Sequence, residues 1–142
     1  AVRFDFNLHR KGMVKDTVHT TVIDTTYMEG VQAIRDRDYE TAVRLLEPYR
    51  DFNAAVALLA VNRNYACMEV LNELSPNAEI YYMKAIIYAR VNEEEKSIQN
   101  YVEACKLDRT YISRGNLDPE ISSLIKKYNI NLLEEEEFDY GW

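Results

Sequence analysis

What most limits the fold of this chain is a local pattern that recurs. A polar turn followed by apolar residues at three-to-four spacing appears at 35–49 (RDRDYETAVRLLEPY), 61–74 (VNRNYACMEVLNEL) and 90–104 (RVNEEEKSIQNYVEA). Such spacing puts the apolar side chains in one stripe on a helix, and a stripe has to be buried against another element. Residues 82–108 read as one long amphipathic helix until VNEEE, where the apolar spacing lapses. Asn92 followed by Glu95 has the spacing of a capping box, so two helices joined by a tight turn at Val91 and Asn92 are expected. Asp38, Asn53 and Asn64 are the expected caps of three further helices, Pro48 ends the first of these, and Pro76 with Asn77 separates the next segment. Four glycines and three prolines in 142 residues are too few for a β-sandwich or barrel, which needs a turn every 8–12 residues.

Residues 1–24 read differently. VRFDFNL alternates apolar and polar, HRKGM supplies a turn, and DTVHTTVID is dense in β-branched residues, so a β-hairpin is expected there. Two strands alone are marginal in water, which leaves the hairpin to pack on the helices, to pair with another chain, a second copy included, or to be the torn edge of a sheet in a longer parent protein. Near the other end, Asp118 before Pro119 opens a helix whose stripe is Ile121, Leu124, Ile125 and Tyr128, the expected capping helix. The expected organisation is an arm at 1–24, helical repeats with the capping helix at 25–130, and an acidic and aromatic tail at 131–142. With Ala as residue 1, a processed product or a piece of a longer protein is expected.

The unit at 81–108 resembles a tetratricopeptide repeat. Tyr81 and Tyr88 stand at that family's aromatic positions and Ala85 at its small position, while Ser97, Tyr101 and Ala104 match the second helix; Arg109 replaces the usual Pro. In the first unit Gly30 and Ala42 match the two small positions, and the expected aromatic is displaced to Tyr27. Val56 and Met68 fall at the small positions of the middle unit, which makes it a degenerate copy. Aligned on Tyr39, Tyr65 and Glu94, the pitch is 26 and then 29 residues, against roughly 34 in the family. The resemblance covers 25–110 and implies a mainly α protein, an α-α superhelix or solenoid, that binds a protein or peptide on its surface.

Charge and motifs narrow the function. A net charge of −7 disfavours a nucleic-acid partner. No run of 18 apolar residues suggests membrane insertion. Cys67 and Cys105 make no disulfide framework or zinc pattern and read as small buried residues. His9 and His19 read as separate surface residues, and neither a nucleophile elbow nor a phosphate loop is present. A non-enzymatic module without cofactor or metal is therefore expected. Gln32, Arg35, Asn62, Arg63, Tyr82 and Lys84 are the candidate partner-binding residues, whereas Tyr81, Tyr88 and Tyr101 are expected to fill the grooves between helices. The alternative is a terminal structural module of a larger envelope or assembly protein, whose hairpin joins a neighbouring sheet.

Overall fold

The structure, a computed structural model, describes residues 24–132 in full and the backbone of 14–16 and 21–23. The chain divides between Ser75 and Pro76 into two compact units. Among the described residues, the first holds α1 (Thr25–Arg35), α2 (Tyr39–Leu46), α3 (Phe52–Ala60) and α4 (Asn64–Glu73), with a 3-10 turn at Glu47–Tyr49. The second holds α5 (Ala78–Arg90), α6 (Glu94–Leu107), α7 (Thr110–Leu117) and α8 (Pro119–Lys127). Consecutive helices pack as neighbours: α1 on α2 and α3 on α4 in the first unit, α5 on α6 and α7 on α8 in the second. The protein is mainly α, and this pairing is compatible with a helical repeat.

The segment 82–108 is indeed two helices, but the link is not a capping box. Asn92 has φ 63°, in the left-handed region, and Glu93 rather than Asn92 precedes the first turn of α6. There Asn92 ends α5: its N–H donates to Ala89 O at 3.3 Å and the Glu93 N–H to Tyr88 O at 2.8 Å. These two bonds make a Schellman motif, which satisfies carbonyls that a helix end otherwise leaves open. The same motif closes α1 at Arg37 (φ 61°) and α3 at Asn62 (φ 63°), with Asp38 N–H donating to Ala33 O at 2.8 Å and Arg63 N–H to Leu58 O at 2.9 Å. Two further expected caps move for related reasons. Asp51, not Asn53, caps α3 by accepting from Ala54 N–H at 3.0 Å, and Asn64 is the first residue of α4. Asp38 and Asp118 cap α2 and α8 as expected.

These three turns set the register of the repeat. Seven residues before each lies a small residue, Gly30, Ala55 or Ala85, and twelve residues after that a second one, Ala42, Cys67 or Ser97. All six are buried. The helices of a pair come so close here that Cys67 Sγ donates to Ala55 O at 3.2 Å and Ser97 Oγ to Ala85 O at 2.7 Å. Sixteen residues after the first small residue stands a large one, Leu46, Leu71 or Tyr101, at most 2% exposed. The middle hairpin therefore carries the same small and large residues at the same offsets as the other two, on shorter helices than α5 and α6. Aligning Tyr65 with Tyr39 shifts it by one residue and puts Val56 and Met68 where Ala55 and Cys67 belong. In the corrected register the turns are 25 and 30 residues apart. The four residues expected to let helices nest, Gly30, Ala42, Ala85 and Ala104, are all buried.

Arg37 is the one of the three turn residues with a side chain poorly suited to a left-handed backbone, which costs an ordinary L residue about 1–2 kcal/mol. Arg37→Gly should raise the stability of the first unit by about 0.5–1 kcal/mol after the extra freedom glycine gains in the unfolded chain. Urea denaturation reads this directly, and a lower midpoint would refute it.

Residues 1–13 and 17–20 lie outside the described residues, so the hairpin expected across HRKGM is not described. Backbone pairing is described between Val14–Asp16 and Thr21–Ile23, antiparallel, with Val14 opposite Ile23. Both segments follow the expected turn rather than flank it. Residues 133–142 of the tail also lie outside the described residues.

Candidate functional site

Four of the six candidate binding residues belong to the first unit, and it gathers them near one end. Arg35 closes α1 next to the first turn, and Asn62 and Arg63 form the second turn. Arg63 Nη2 lies 3.3 Å from Glu40 Oε2 at the start of α2, which brings the two turns together. Gln32 lies one helical turn before Asp36, at the spacing that lets two side chains on a helix meet, and its Nε2 donates to Asp36 Oδ1 at 3.0 Å. Gln32, Arg35, Asn62 and Arg63 are all exposed.

In the second unit Lys84 is half-buried, and Tyr82 does not belong among the surface candidates. It is 0% exposed, and its hydroxyl donates to Asp118 Oδ2 at 2.9 Å. The Tyr111 ring lies 5.0 Å from its own, and the Arg114 guanidinium 5.0 Å from its centroid. Tyr101 is buried in its groove as expected, but the matching role expected of Tyr81 and Tyr88 falls to Tyr82, since those two are only half-buried. On a helix, residues 81 and 82 flank the Ala85 stripe at about 40° and 60° to either side. Spacing leaves both as candidates, and Tyr111 and Asp118, arriving with α7 and α8, cover the side of Tyr82.

The first unit contains a matching link. Tyr27, three residues before Gly30 as Tyr82 is before Ala85, donates its hydroxyl to Asp51 Oδ2 and accepts from Asn53 Nδ2 at 2.9 Å. Tyr49 packs edge-on against Tyr27 with centroids 4.8 Å apart and donates to Asp24 Oδ2 at 2.7 Å. In each unit, then, a buried tyrosine on the first helix is tied to the aspartate that caps a later one. Burial, reinforced by the neighbouring carboxylates, pushes the Tyr27 and Tyr82 phenols well above their ordinary range, and burial is the main cause that takes Tyr111 up to about 12. These phenols stay protonated and act as donors in the frame. The sequence signal for the links is a tyrosine three residues before Gly30 and before Ala85, together with an aspartate just before a later helix of the same unit.

No family model, characterised protein or solved structure matches the chain.

Among the described residues, no group of three or more His, Cys, Asp or Glu side chains is placed to hold a metal ion. No described helix is long and apolar enough to cross a membrane. Both histidines lie outside the described residues, and both cysteines are buried thiols.

Proposed function

We propose that this chain is a tetratricopeptide-like helical-repeat module that binds a protein or peptide through side chains on its helical surface. The observation that supports this is the threefold recurrence of one hairpin: aromatic residue, small residue, left-handed turn, second small residue and large residue, each at a fixed offset. Such a frame commits its interior to packing and leaves recognition to exposed side chains. Gln32, Arg35, Asn62 and Arg63 on the first unit, and Lys84 on the second, are the residues proposed to contribute. The cations among them suit a ligand with acidic groups.

Panning the full chain against a displayed random-peptide library tests the reading. Enriched peptides should bind saturably in calorimetry, and Arg35→Gln with Arg63→Gln should weaken them about tenfold, roughly 1.4 kcal/mol, while the fold loses only about 1 kcal/mol or less, since both side chains are exposed. Equal binding by the variant would remove these residues from the site, and the lack of any saturable peptide would remove the function.

A further inference from the structure

The two hairpins of the second unit share a buried apolar contact, to which α8 adds charged ties. Between α5 and α6 the contact is extensive, with Ser97 Oγ donating to Ala85 O and Tyr101 edge-on to Tyr82 across it. The α7–α8 hairpin meets α5 and α6 less extensively than these two meet each other. Its apolar anchors are Tyr111, Ile112, Ile121 and Leu124, and Gly115 sits directly against the Tyr101 ring. Two charged ties, both from α8, join the hairpin to α5 and α6. Arg90 Nε pairs with Glu120 Oε1 at 2.7 Å, Lys127 Nζ with Glu94 Oε1 at 2.7 Å, and Tyr128 donates to the same Glu94 oxygen at 2.6 Å. The Lys127 and Tyr128 bonds hold the Glu94 carboxyl below its ordinary range.

Helices of 8 and 9 residues do not persist alone in water, so α7 and α8 are ordered only while docked. Ion pairs that water reaches weaken with salt, because the screening length falls from about 10 Å at 0.1 M to about 3 Å at 1 M. Water reaches the Lys127–Glu94 pair, whereas Arg90 and Glu120 are only 14% and 23% exposed and make two bonds to each other, so salt weakens the first pair far more than the second.

We infer that α7–α8 is a salt-releasable cap, which undocks from α5–α6 and unfolds as one cooperative unit below the free energy of global unfolding, baring Tyr82 and Tyr101. The inference is independent of the binding reading and holds whether or not a partner docks.

Hydrogen exchange on the full chain, resolved by peptide, tests it. Amides of 112–128 should exchange about tenfold or more faster than those of 83–105, and 1 M salt should widen the gap several-fold. Glu94→Gln combined with Glu120→Gln alters the charged ties and leaves the apolar anchors in place; it should speed exchange of 112–128 at low salt and remove most of the salt response. Exchange of both segments at one rate under all conditions would overturn the cap. So would a salt response that survives the double substitution.

Discussion

Tyr82→Ala should destabilise the second unit by about 3–5 kcal/mol, the range for deleting a large buried aromatic ring. Tyr82 is 0% exposed and meets Tyr101 of α6, Tyr111 of α7 and the aspartate that caps α8, so the surrounding helices cannot close over the space without moving. Tyr82→Phe keeps the ring and removes only the hydroxyl, leaving Asp118 Oδ2 without this donor while its other oxygen still caps α8 through Glu120 N–H at 3.0 Å. About 1–3 kcal/mol is expected for it. Tyr81→Ala removes a half-buried ring and should cost less than Tyr82→Ala. Denaturant melts of the three variants decide the matter. A larger loss for Tyr81→Ala would reverse the assignment of the buried ring.

The second large effect is at Gly30. An alanine there would normally favour a helix by about 0.8–1 kcal/mol. Here its Cβ would come within 2.5 Å of both Cγ and Cδ2 of Leu46, and Leu46 is 0% exposed. Overpacking of this kind costs about 1–3 kcal/mol, so Gly30→Ala should be net destabilising. Leu46→Ala should cost about 2–5 kcal/mol on its own by opening a cavity. In the double variant the new methyl occupies part of that space, so the combined loss should fall short of the sum by about 1–2 kcal/mol. Strict additivity would show that the two residues do not meet.

Where expectation and structure part, one cause recurs: a residue type that suits two roles. Asparagine serves both as an N-cap and in a left-handed turn, so Asn92 announced a break between helices without saying which helix it served. Only the bonds from Asn92 and Glu93 back into α5 decide that. The register of the middle hairpin failed differently. Every residue from Phe52 to Leu59 is buried, and a helix apolar on all sides has no stripe from which to read its phase. The position of Cys67 against Ala55 supplies it.

By itself the sequence determined that helices form, that breaks fall near Arg37, Asn62 and Asn92, and that Gly30, Ala42, Ala85 and Ala104 are buried, because these follow from spacing and side-chain size within a few residues; it did not give α7 or the caps of α3 and α4. Which tyrosine turns inward, which aspartate receives its hydroxyl, and how α7 and α8 are held were decided by tertiary structure. Those tyrosine–aspartate contacts join residues 24 and 36 positions apart, and local periodicity carries no information over that distance.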